Sequence, residues 1–185
     1  GPMMEAARMI AKSGAKPKRT ILFIGFAGEE FGLLGAQAWV KAHKDKLPKI
    51  ANLFNRDGGP EPPVGISVPQ AMYDDFVKIS EPIQKIRPDY PFEVKVREPR
   101  KRPTRMGGTD ASVFAIEGVP TLGFTTEDFK GYDFDYGEIW HTERDLYTKN
   151  IPEYQEHTAT VTAIIALGVA NLDKQLSREG LYTEE

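Results

Sequence analysis

The chain has 185 residues, 40% of them hydrophobic and 28% charged, with a formal net charge of −3. That size and balance fit one domain with a substantial core. They exclude the strong basic excess of a typical nucleic-acid-binding surface, and no apolar run approaches the roughly 20 residues that span a bilayer. Cysteine is absent, which excludes disulfides, thiolate metal sites and a cysteine nucleophile but leaves the compartment open.

Met3 to Lys12 reads as a helix, with Met3, Ala6, Ala7 and Ile10 at helical spacing. Ser13-Gly14 stops it. Thr20 to Phe26 is an almost unbroken apolar run, the pattern of a central parallel strand covered on both faces. A second helix is expected from about Glu30 to His43, and a short strand from Ile50 to Asn55, ending at Asp57-Gly58-Gly59-Pro60. Val64 to Val68 reads as a strand, Tyr73 to Ile86 as an amphipathic helix, and Phe92 to Val96 as an alternating strand. Thr109-Asp110 opens a short helix through Ile116, and Gly118-Val119-Pro120 leads into a strand through Phe124. Pro152, at a favoured early helix position, starts a long final helix to about Leu176. Two long loops remain: the basic stretch Glu98 to Gly108, and the acidic, aromatic stretch Thr125 to Trp140. The alternation of strands and helices predicts an α/β three-layer sandwich.

The first apolar run ends in Ala27-Gly28-Glu29-Glu30-Phe31-Gly32. Ligands of parallel α/β sheets bind beyond the carboxyl ends of the strands, so the Glu29-Glu30 pair is a candidate centre: one acid on a metal, the other reaching a water. Stabilisation of a helix dipole is the alternative. Asp57 holds the same place after the next strand, where Asp-Gly also makes an ordinary turn. His141 lies in Ile139-Trp140-His141-Thr142. His43, among lysines, and His157, inside the last helix, look worse as ligands. Glutamate, aspartate and histidine together suit zinc. Asp110, at the start of its short helix, suits a helix N-cap. No Gly-x-Ser-x-Gly elbow, phosphate loop or His-Glu-x-x-His motif is present.

Arg19 to Gly35 closely resembles a segment of the M-twenty-eight family of zinc exopeptidases, which includes bacterial leucyl aminopeptidases and carboxypeptidase Q. Asp57-Gly58-Gly59, Gly107-Gly108-Thr109-Asp110, Gly118-Val119-Pro120 and Trp140-His141-Thr142-Glu143-Arg144-Asp145 match in family order. The resemblance implies an α/β/α sandwich with a mostly parallel mixed sheet (the zinc exopeptidase fold), two zinc ions and a short peptide substrate. It implies Glu29 as general base, Glu30 and His141 as ligands of one zinc, and Asp57 as a ligand of the other. Asp110 becomes a neighbouring or substrate-orienting acid. It also implies a secreted or periplasmic parent.

In that family a His-x-Asp segment and a metal-bridging aspartate stand upstream of the helix that begins here at Met3, and this sequence contains neither. Residues 1–185 are therefore expected to be the C-terminal portion of a single metallopeptidase catalytic domain, without its first strands. Three functions stay open. One is a zinc aminopeptidase or dipeptidase completed by a missing N-terminal fragment, present as a separate chain or as the rest of a longer protein. The others are a catalytically inactive scaffold or interaction subunit, and a glutaminyl-cyclase-like single-zinc acyltransferase. Neither nucleic acid nor membrane is an expected partner.

Overall fold

In the computed structural model, residues 1–183 are described. Strand β1 (Pro63–Val68) sits at the middle of a three-stranded sheet in the order β2-β1-β3. It pairs in parallel with β2 (Glu93–Val96), Ile66 opposite Val94 and Val68 opposite Val96. On its other edge it pairs antiparallel with β3 (Phe124–Thr126), with a register irregularity between Pro63 and Gly65. The sheet is mixed and carries helices, as the α/β alternation predicts.

Helix α3 (Tyr73–Ile86) buries Phe76, Ile79 and Ile83 on one stripe, the spacing its sequence predicts. Helix α6 (Pro152–Asn171) is buried along most of its length and packs against α3, β1 and α1 (Pro2–Lys12). Its buried Thr158 and Thr160 hydroxyls donate to the carbonyls four residues back, of Tyr154 and Glu156, which satisfies polar groups that would otherwise be costly to bury. Ile66, Val68, Phe76, Ile83, Val161 and Ile165 form the centre of this core. No described helix is long and apolar enough to cross a membrane.

A second apolar cluster joins α2 (Leu34–Ala42) to α4 (Ala111–Ile116) through Ala36, Val40, Val113 and Phe114, with Phe26, Ile50 and Leu53 against it. Here the sequence pattern and the structure part. Neither Thr20 to Phe26 nor Ile50 to Asn55 is a paired strand. Leu53 N–H donates once to the Pro120 carbonyl, and the Asn52 side chain takes both backbone groups of Leu122 in place of a ladder. Leu22 is 62% exposed and Phe23 39%. An apolar run needs a neighbouring strand to become a ladder, and among the described residues 20–26 have none.

Helix α2 also starts later than its apolar pattern predicts, at Leu34 rather than Glu30. Gly32 and Leu33 N–H both bond back to the Glu29 carbonyl, at 2.9 and 2.8 Å, so Glu29 to Leu33 is a closed turn. Gly35 then lies flat on the preceding segment: a Cβ there would stand 2.6 Å from Ala27 O and 2.7 Å from Ala27 N. Gly35→Ala is therefore expected to destabilise the fold by about 1–3 kcal/mol, because backbone rather than a side chain must yield; urea denaturation checks it. The last helix ends at Asn171, short of Leu176, where the Arg19 guanidinium takes the carbonyls of Ala170 and Leu172.

Candidate metal centre

The Glu29–Leu33 turn is tight because its backbone enters the left-handed region, with φ of 68° at Gly28, 103° at Gly32 and 61° at Leu33. It presents Glu29, half-buried, and Glu30, exposed, at the carboxyl end of the 20–26 segment. Asp57 and His141 line the same open cleft, of about 1910 Å³, together with Arg56, Tyr136 and Trp140. The cleft thus gathers four residues from three separate stretches of the chain: the adjacent Glu29 and Glu30, Asp57 and His141.

His141 Nε2 lies 3.3 Å from Glu30 Oε2, and both side chains are open to solvent, at 57% and 65% exposure. An exposed ion pair of this kind adds little to stability. Its spacing also suits two donors to one metal ion: on a tetrahedral zinc, donors each about 2.0–2.2 Å away stand roughly 3.3–3.5 Å apart. Among the described residues, His141 is also one of three non-glycine residues with positive φ, at 56°. Holding such a conformation costs on the order of 1–3 kcal/mol and persists where the surroundings impose it. The residue follows the short helix α5 (Tyr136–Ile139), whose first turn is capped by the Asp135 side chain on Gly137 N–H at 2.8 Å.

The acids repel one another. Glu29 is pushed above the usual carboxylate range by its partial enclosure, then by the charges of Asp57, Glu30 and Asp110, with His141 opposing. Asp57 is pushed up by enclosure and by Glu30; the residue is exposed, so solvent screens much of that push. Asp110 is only 8% exposed, and burial followed by the Asp57 charge raises it. Its Oδ1 has no hydrogen-bond partner, and its side chain does not cap α4. The helix-cap alternative for Asp110 therefore loses its bond, and a buried, unpaired acid beside other acids suits a cation nearby.

Among the described residues, no group of three or more His, Cys, Asp or Glu stands in a metal-holding arrangement. Glu30 and His141 come together; Asp57 shares their cleft. His43 stacks on Trp39, its Nδ1 2.8 Å from the Trp39 carbonyl oxygen, and takes no part. His157 is fully buried, stacked on Tyr90 at 3.9 Å, with Nε2 donating to the Pro63 carbonyl. Motif reading misses Arg56. Its guanidinium donates to the carbonyls of Gly59 and Glu61 and so fixes the turn that carries Asp57. A lone arginine beside Asp-Gly-Gly gives no sequence signal for that role.

Residues 1–165 match the description of Peptidase family M28. Mouse carboxypeptidase Q is 24% identical over 179 residues, 94% of this chain and 34% of that protein. A probable zinc metalloprotease of Pyrenophora tritici-repentis is 46% identical over 54 residues, 29% of this chain and 12% of that protein. Among solved structures, a peptidase M28 precursor from Shewanella amazonensis is 25% identical with a TM-score of 0.72, covering 95% of this chain and 37% of that one. The zinc aminopeptidase BSAP from Bacillus subtilis, 18% identical with a TM-score of 0.60, covers 99% and 43% and shares the fold. The chain spans about a third of the length of the curated carboxypeptidases Q it matches. It belongs to Peptidase family M28.

Proposed function

We propose that this chain supplies part of the active site of a zinc-dependent exopeptidase, an aminopeptidase or dipeptidase of short peptides. The observation that carries the proposal is the convergence of Glu29, Asp57 and the Glu30–His141 pair on one open cleft. The names of relatives, a zinc aminopeptidase and probable zinc metalloproteases, support the choice of metal. Glu30 and His141 would hold one zinc ion, and Asp57 would hold a second. Zinc in such a site supplies Lewis acidity to the attacking water and to the scissile carbonyl.

The chain's own residues supply the proton traffic. The Glu29 carboxylate removes a proton from the attacking water and delivers it to the departing amine. Enclosure and the neighbouring acids raise its proton affinity, the direction that strengthens a base. Asp110, buried and near Asp57, would add negative charge beside the metal-holding groups. The segment 20–26, apolar, partly exposed and without a ladder, supports completion of the sheet and ligand set by a further segment. That segment is supplied either by the same polypeptide or by a separate chain. A short peptide needs no long groove, and an open cleft admits it.

A second reading is a non-catalytic subunit, favoured by the lack of a three-ligand cluster among the described residues. Peptidase assays on the complete protein separate the two. Dipeptides with a free amino terminus are expected to be cleaved, chelation to abolish cleavage, and zinc to restore it. Equal turnover of amino-terminally blocked peptides sinks the aminopeptidase assignment. No turnover of any peptide by zinc-loaded protein supports the scaffold.

A further inference from the structure

The Asp57 turn meets the loop before His141 at an aromatic contact. A Cβ at Gly59 would stand 2.7 Å from Cζ of Phe134 and 3.2 Å from Cδ2 of Tyr136. The Phe134 ring therefore occupies the space that any side chain at position 59 would need. Gly59 is two residues beyond Asp57, and its carbonyl is held from the other side by Arg56. Phe134 directly precedes Asp135, the cap of α5, which leads through Trp140 into His141.

The far end of the same loop is bolted to α6. The Asp128 carboxylate accepts from Tyr154 Oη at 2.6 Å, from Tyr132 N–H at 3.0 Å and from Phe134 N–H at 3.4 Å. Lys130 Nζ donates to Glu153 at 2.6 Å. One end of the loop is thus anchored on the last helix, and the other meets the Asp57 turn.

We propose that the seat of Phe134 on Gly59 sets the separation between the Asp57 turn and the His141 loop. Phe134 is a positioning residue for the metal ligands, and position 59 requires glycine because the ring fills its side-chain space. The inference rests on the zinc reading for its effect on metal, but not for the contact itself. Residues that hold metal ligands in place typically change metal affinity or activity by about 10- to 100-fold when lost.

The test is a double-mutant cycle on the complete protein with Gly59→Ala, Phe134→Leu and both together. Leucine lacks the outer ring atoms that a methyl at position 59 would strike. Two readouts are taken: hydrogen–deuterium exchange of residues 132–142 in the chelated protein, and zinc affinity. Gly59→Ala is expected to speed exchange in that segment and weaken zinc binding by about tenfold or more. Adding Phe134→Leu is expected to recover both toward the wild-type values. Additive losses in the double variant, or wild-type exchange and affinity in Gly59→Ala, overturn the proposal. Absence of zinc binding by the wild-type protein removes the zinc reading alone, and the exchange cycle then decides the contact. Phe134→Leu, which leaves position 59 untouched, remains informative where Gly59→Ala does not fold: unchanged exchange in it also overturns the proposal.

Discussion

Replacing Glu29 with Gln is expected to lower kcat by about 10²- to 10⁴-fold while leaving zinc bound, the usual worth of a positioned general base. The amide keeps the shape and the hydrogen-bonding reach of the carboxylate but cannot take a proton. Glu29 is the half-buried member of the pair, crowded by Asp57, Glu30 and Asp110, and it makes no ion pair with His141. Glu30 is the member that does, at 3.3 Å. The two substitutions should therefore fail differently. Glu29→Gln loses turnover with KM little changed, and Glu30→Gln loses metal. Steady-state kinetics beside metal analysis reads the difference. Loss of zinc from Glu29→Gln, with zinc retained by Glu30→Gln, would show the two roles reversed.

Acid is expected to destabilise the protein from about pH 6.5 downward, earlier than carboxylate titration alone would cause. Burial lowers the His157 pKa from 6.5 to about 4; the Pro63 carbonyl and Asp89 oppose that change, and the Arg87 and Lys130 charges assist it. Between those values the unfolded chain binds a proton that the folded protein refuses. Stability is therefore fully present above pH 6.5 and falls as the pH drops toward 4. The loss grows by about 1.4 kcal/mol for each pH unit crossed in that window and approaches about 3 kcal/mol at its lower end. The imidazole has no room to recruit a partner, because one face stacks on Tyr90 and Nδ1 is buried without a hydrogen bond. His157→Gln keeps an N–H for the Pro63 carbonyl and removes the titration.

Denaturant melts at pH 7, 6, 5 and 4.5 should show a steep decline for the wild type and a much shallower one for His157→Gln. Parallel curves would refute the assignment. The Lys130–Glu153 contact does not confuse the experiment. Hydrogen bonds from Lys130 and Tyr132 lower Glu153 to about 2, so its contribution is lost only as the pH falls below about 4.5.

The elements legible in the sequence were those whose pattern is local. Tyr73–Ile86 buries the stripe its spacing predicts, and β1 and β2 lie within a residue of their alternating runs. Pro152 marks the first residue of the last helix. Strand pairing is a property of two segments, and the runs 20–26 and 50–55 carry the apolar composition of strands without a ladder to join. The turn at Glu29–Leu33 took the first residues of the expected helix, because two glycines and a left-handed Leu33 close it.

The site divides in the same way. Glu29, Glu30, Asp57, Asp110 and His141 were nameable from their residue types and from their family-like segments. Gly59 read only as part of the turn and family-like segment Asp57-Gly58-Gly59, and Phe134 only as one of several aromatic residues in the loop before His141. Their contact joins segments far apart in the chain and leaves no periodic signal.

Zinc titration of the complete wild-type protein beside Glu30→Ala and His141→Ala, followed by calorimetry, tests the central claim most directly. Wild-type protein is expected to bind zinc, and each substitution to weaken binding of one ion by at least the roughly 10- to 100-fold typical of far gentler changes around a metal. Zinc affinity and stoichiometry unchanged in both variants would contradict the assignment of Glu30 and His141 as a metal-holding pair.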